Sequence, residues 1–231
     1  MILRTIQIFL TIIIIALFYF LFNNIWGPVN FKEEAKDRIE AVQQSLNDIR
    51  TLQLKYLEIN GVYCDNFKDL KDFYINGKQN LPRRVFKNKS WNNNVPDELI
   101  EMYGIERADS VAVAEGNLVI VDSMVAISYV LKDDLNKENR KYPFNINNIS
   151  KIPNTDEEYE IWTGFVDDTK NNTRSPGLEV FTKYGTFIED IDDAEEPFKI
   201  GPREYFYDDI IKIGSKDEAR KNDGNWDKNN D

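Results

Sequence analysis

A charge-free run near the amino terminus constrains this chain more than any other feature. From Thr5 to Phe22 it reads TIQIFLTIIIIALFYFLF, without one Asp, Glu, Lys or Arg. As a helix it would extend about 27 Å, close to the hydrocarbon thickness of a bilayer. Its few polar groups are Thr5, Gln7, Thr11 and the Tyr19 hydroxyl. Threonine hydroxyls can bond back to the preceding turn, so they are tolerated there. Tyr19 and Trp26 stand toward the distal end, where amphipathic rings favour an interface. Gly27-Pro28 then predicts a break or kink. The run exceeds the roughly 7–15 apolar residues of a signal peptide, and no small-residue cleavage site follows it. The expectation is therefore a short cytoplasmic segment at 1–4 and an uncleaved transmembrane helix at 5–26, with the lipid bilayer as partner. Lys32, Lys36 and Arg38 outnumber Arg4, and a count of positive charges would keep the following domain inside. Long folded domains cross largely regardless of such charge, so the reading is a single pass through the cytoplasmic (inner) membrane with a periplasmic domain.

Composition narrows the chemistry. The 231 residues carry 29 Lys+Arg against 40 Asp+Glu, a net charge of -11, which argues against nucleic acid as a partner. The absence of histidine removes His-based triads and His metal ligands. One cysteine, Cys64, removes Cys-rich zinc sites and an intrachain disulfide. Beside Asp65, its thiol is a poor nucleophile.

Beyond the apolar run, residues 27–77 read as a membrane-proximal helical region. Ile39, Val42, Leu46, Ile49, Leu52 and Tyr56 recur at intervals of three and four, a helix-packing stripe on a helix over 32–59. The stripe fits packing on the chain's own domain or on further copies. Asn60-Gly61 ends that helix, and a second one is expected over 67–75, capped by Asp65 or Asn66. Lys78, Arg83, Arg84, Lys87 and Lys89 suggest a basic loop, either solvated or docking an acidic partner. Residues 78–215 read as a β-rich domain. A helical turn over 97–103 is followed by a hairpin joining 110–114 to 117–122 around Glu115-Gly116. Further strands are expected at 126–131, 158–163, 178–182, 186–188 and 210–213. Turns fall at Asn147-Asn148, Pro153-Asn154, Asn171-Asn172 and Ser175-Pro-Gly177. The polar tail, 216–231, has no apolar period. The fold class is α+β: an N-terminal transmembrane helix, a long amphipathic helix, then a mainly antiparallel sheet.

The block Asp48-Ile-Arg-Thr-Leu-Gln-Leu-Lys-Tyr-Leu-Glu-Ile-Asn-Gly-Val-Tyr63, with Asn66-Phe-Lys-Asp-Leu70, resembles the amphipathic half of type IV pilins and type II secretion pseudopilins. The resemblance implies a membrane helix running into a domain helix, an Asn-Gly-x-Tyr turn and a short capped helix. Asp223-Gly-Asn-Trp-Asp227 looks like the C-terminal loop of major pseudopilins, which implies calcium at Asp223 and Asp227. The chain departs from the prepilin-peptidase pattern: Leu3–Phe9 holds neither its glycine nor its glutamate. Most of the chain also resembles membrane-anchored Bacteroidota proteins of unknown function. The shared stretches are Pro28–Phe31, Asp48–Tyr63, Ile152-Pro153, Leu178–Phe181 and Gly224–Trp226.

No catalytic set emerges. Asp156–Glu158 and the acidic run over 189–196 lack the spacing of an EF-hand. No pair among the 40 acids stands out for glycoside hydrolysis. G-x-S-x-G, S-x-x-K, P-loop and G-x-G-x-x-G patterns are missing. Tyr129, Tyr142, Tyr159, Trp162, Tyr184, Tyr205, Phe206 and Tyr207 suit cross-strand packing, and an exposed subset would suit stacking on sugars or a peptide. The expectation is a non-enzymatic, extracytoplasmic structural or interaction protein without a cofactor other than calcium. A pilin-like subunit of a secretion or surface apparatus is the first alternative, acting through protein partners or self-association. A carbohydrate- or peptide-binding, or hydrolytic, domain is the second.

Overall fold

The structure, a computed structural model, describes residues 2–91, 94–138, 140–168, 173–192, 194, 196–218 and 221–227. Within helices, the side chains of 2–6, 8, 21–28 and 106 also lie outside the description. So do the expected Asn171-Asn172 turn and two members of the acidic run, Asp193 and Glu195. The chain forms two compact units: residues 72–133, and residues 1–71 together with 134–231.

The larger unit is organised on α1 (Ile2–Asn60), one uninterrupted helix of 59 residues. The break expected at Gly27-Pro28 does not occur, because the helix carries on through both residues. The expected transmembrane helix at 5–26 is also corrected: among the described residues, no helix is long and apolar enough to cross a membrane. Side chains there are described without interruption only from Phe9 to Phe20, about 18 Å of helix against a hydrocarbon core of about 30 Å. The single-pass placement in the inner membrane and the periplasmic assignment of the domain fall with it. Gly61 closes α1 in the left-handed conformation, φ 77°.

The rest of this unit is mostly β. Strands β3 (Glu160–Asp168), β4 (Thr173–Lys183) and β7 (Ile210–Gly214) form an antiparallel sheet in the order β3-β4-β7. Leu178, Val180, Ile211 and Ile213 put its apolar face in the core. Gly164 and Gly177 face each other across β3 and β4. A Cβ at Gly164 would come within 2.8 Å of the Trp162 ring, so the indole lies over the bare backbone there. A short helix, α7 (Gly185–Ile188), replaces the strand expected at 186–188, and β5 (Phe198–Ile200) with β6 (Arg203–Tyr205) adds a small hairpin. α1 packs against β7, β5 and α7.

The polar tail is partly tied down. Gly224 bridges to Ile213, and the Asn225 amide donates to the Lys212 carbonyl at 3.0 Å. Backbone bonding here does not require apolar side chains, which is why a tail without an apolar period can still be tied down.

The second unit holds β1 (Lys78–Phe86) and β2 (Leu118–Ala126), paired antiparallel over nine residues. Its helices are α3 (Asp97–Tyr103), α4 (Ile105–Ala114) and α5 (Ile127–Val130). Two expectations fail here. Residues 110–114 are the end of α4, not half of a hairpin, and 126–131 is mostly α5 rather than strand. Short apolar runs fit either period, and Ala108 and Ala112, four apart, are both buried on one helical stripe. The strand partner of 118–126 is the basic stretch itself, expected as a loop. The expected helix over 67–75 is α2 (Phe67–Asn76), and the Asn66 Oδ1 caps it by accepting from the Asp69 amide at 2.8 Å.

Candidate functional sites

The two halves of α1 present different surfaces. From Phe31 onward the helix buries Ala35, Ile39, Val42, Leu46, Ile49 and Leu52, while Tyr56 is half-buried. The stripe is thus covered by the chain itself. Phe31 meets the ring of Phe198 edge-on at 5.8 Å, and Phe198 also stacks on Tyr205 at 5.3 Å. Tyr184 lies against Phe187 and Tyr205, so Tyr184 and Tyr205, two of the aromatics expected in the sheet region, pack together with Phe187 and Phe198. Burial of that hydroxyl holds the Tyr184 pKa above its ordinary value. Toward the amino terminus the picture reverses. Every described side chain from Phe9 to Phe20 is exposed, with Phe18 at 71% and Phe9 at 66%. Thr11 does bond back to the Gln7 carbonyl, at 2.9 Å.

A cavity of about 270 Å³ lies between α1 and the irregular segment that runs from Arg140 to Thr155. Its polar wall is an ion pair. Arg140 Nη1 and Nη2 donate to the two oxygens of Asp48, at 2.7 and 2.6 Å. The Arg140 Nε donates to the Tyr142 carbonyl at 3.1 Å, which Gln44 Nε2 also reaches. The Tyr142 hydroxyl in turn donates to the Asp37 carbonyl at 2.8 Å. Four contacts therefore fasten one segment to consecutive turns of α1. Burial holds the Asp48 pKa above its usual value, although Arg140 pulls in the opposite direction. Asn154, which lines the cavity, sits at φ 66°, a conformation that asparagine tolerates better than most residues. Behind it, the buried Tyr159 hydroxyl lies beside Ser45 and Asp48, and burial raises its pKa. With both Asp48 oxygens engaged by one guanidinium, the site holds no free carboxylate pair for acid–base work. Its polar wall is fixed by that ion pair, with Lys151 as a further charged lining residue.

Asp223 and Asp227 each have a hydrogen-bond partner within the chain. Asp223 accepts from Arg50 Nη2 at 3.0 Å, and Asp227 accepts from the Gly224 amide at 3.1 Å, closing its own turn. Among the described residues, no group of three or more His, Cys, Asp or Glu side chains is placed to hold a metal ion. Cys64 is buried, its Sγ donates to the Asn66 carbonyl at 3.2 Å, and burial pushes its thiol pKa up.

Sequence reasoning missed two residues that organise this unit, Gln53 and Arg140. Gln53 is fully buried on the stripe side of α1. It donates to the Cys64 carbonyl at 2.8 Å and accepts from the Cys64 amide at 2.9 Å, tying the post-helix turn back onto the helix. A polar residue adjacent to Leu52 in an apolar stripe was the available signal. Nothing local marked Arg140, whose partner lies 92 residues away.

Nothing among the protein families, curated proteins or solved structures compared with the chain matches it.

Proposed function

We propose that this chain is a non-enzymatic structural subunit that associates with further copies through the bare amino-terminal half of α1, as a pilin-like component of a larger apparatus. One observation supports the reading most: a single unbroken helix, buried on its own domain from Phe31 onward, carries ten exposed large apolar or aromatic side chains between Phe9 and Phe20. An apolar patch this long is unfavourable in water and marks a surface that another molecule covers. Identical helices satisfy it without a new partner. The continuity of α1 through Gly27-Pro28 also removes one of the differences from the pilin pattern, although the peptidase pattern still departs. Asp48, paired through both oxygens with Arg140 beside the cavity, fits a structural role there.

The test is sedimentation of the full chain in mild detergent, compared with a variant carrying Ile12→Glu and Phe18→Glu. Oligomers in the parent and their loss in the variant, with unchanged near-ultraviolet circular dichroism, are expected. A monodisperse monomer would overturn the proposal. So would a chain that floats with phosphatidylethanolamine–phosphatidylglycerol vesicles while showing no self-association.

A further inference from the structure

The β1–β2 ribbon is half of a sheet. Among the described residues it has two strands only, and a two-stranded ribbon is marginal in water. No side chain of β1 is buried, and in β2 only Leu118 is. Ile120 is 51% exposed and Met124 64%.

The register tells which backbone groups point away from the ribbon. Ile127 N–H bonds the Gly77 carbonyl and Lys87 N–H bonds the Asn117 carbonyl, one pair beyond each end of the ladder. Both pairs join odd-numbered residues, so with the unbroken register the odd residues face inward and the even ones face out. On β1 the outward set is Lys78, Asn80, Pro82, Arg84 and Phe86. Pro82 has no N–H to offer, and its neighbours are cationic. That edge is guarded in the way proteins guard exposed strands. On β2 the outward set is Leu118, Ile120, Asp122, Met124 and Ala126, of which Leu118 is fully buried, so the accessible edge begins at Ile120. It has no proline and one charge, and its side chains are otherwise apolar. The β2 edge is unguarded.

We infer that the outer edge of β2 pairs antiparallel with the same edge of a second copy, making a four-stranded sheet in the order β1-β2-β2-β1. Charge placement selects this occupant. Pairing through β2 leaves Lys78, Arg83, Arg84, Lys87 and Lys89 of each copy on opposite outer edges, three strand spacings or about 14 Å apart. Pairing through β1 would bring those cations together and lose the Pro82 bond twice. A two-fold axis at Asp122 would set two carboxylates opposite each other, which is unfavourable. An axis one residue away, at Val121 or Ser123, sets Asp122 opposite Ile120 or Met124 and keeps the outward groups in register. The contact is isologous and closes on itself. It uses a different surface from the α1 association and does not depend on it.

The experiment uses the full chain carrying Ile12→Glu and Phe18→Glu, so that the α1 contact is silenced. This chain is expected to sediment as a dimer. Ile120→Pro removes an outward N–H and no bond of the internal ladder. It should weaken the dimer about a hundredfold, because the two-fold axis deletes the bond twice. As a second reading, a cysteine on the axis faces its own copy at disulfide distance. Either Val121→Cys or Ser123→Cys should therefore cross-link under mild oxidation, while buried Cys64 stays out of the reaction. A monomer at high concentration, a dimer indifferent to Ile120→Pro, or no cross-link from either cysteine variant would overturn the inference. Loss of α1 association alone would leave it standing.

Discussion

Two stretches of α1 both carry large apolar side chains and meet opposite surroundings. Phe9–Phe20 is almost wholly apolar and wholly exposed. Phe31–Leu52 is apolar on one stripe, charged elsewhere, and buried along that stripe. The difference is one of periodicity. A helix apolar all round has no face to turn to water, so a single sheet cannot cover it. A helix with an apolar stripe matches one sheet and leaves its charges outside. The first half is built for several neighbours and the second for one.

That contrast can be broken at its strongest point first. Leu46→Ala opens a cavity beneath α1 and should cost about 2–5 kcal/mol of unfolding free energy, read by urea denaturation. If it cost no more than a surface change, the buried half would not be the spine of the unit. Arg140→Ala leaves Asp48 buried without its partner, and a loss of about 3 kcal/mol is expected. Replacing Asp48 as well, by a residue of similar volume such as Leu, should recover much of it, since the double change leaves no lone charge. Gln53→Ala strands the Cys64 N–H and carbonyl, at about 1–3 kcal/mol, and should speed amide exchange at Cys64. At the other extreme, Phe18→Ser should shift the stability of the folded domain by less than about 0.5 kcal/mol while weakening self-association.

A pH titration sharpens the same comparison through the tyrosines. Tyr159 and Tyr184 are buried, and burial raises both pKa values above the ordinary 10.0. A folded-state pKa above the unfolded one means that the native chain holds the proton more tightly. Their contribution is therefore full below about pH 10 and is lost as pH rises beyond it. Thermal unfolding scans should show the melting temperature falling from about pH 10 upward. Tyr159→Phe should flatten part of that fall.

Much of the buried half was legible locally. The spacing of Ile39, Val42, Leu46, Ile49 and Leu52 gave the helix and its covered face, and Asn60-Gly61 gave its end. Asn66 gave the cap of α2. The strands at 160–168 and 210–214 lay near their expected places because they alternate or run apolar between turn residues, whereas β4 extends back through Ser175-Pro-Gly177, expected as a turn, because its backbone there pairs with Gly164–Val166. The other unit was read less well. Residues 110–114 satisfy helix and strand periods equally, and the basic stretch at 78–89 has too little apolar content to signal a strand. Its pairing is supplied by β2, some 40 residues away, through backbone bonds that side-chain patterns do not encode. The Asp48–Arg140 pair was invisible for the same reason: each residue alone looks like a solvated charge.

Periodicity and punctuation along the chain thus determined where the buried half of α1, α2, α3 and most of the β3-β4-β7 sheet lie, and that an all-round apolar stretch gives way to a striped one. These properties depend on neighbours three or four residues apart, which the order of residues specifies directly. Only the tertiary structure decided that the chain itself, and not a further copy, covers that stripe, and that Gly27-Pro28 leaves the helix unbroken. It alone showed that Asp223 answers Arg50, and that β2 has one paired edge and one open edge. Those outcomes depend on groups far apart in sequence, whose meeting is set by the packing of the whole unit.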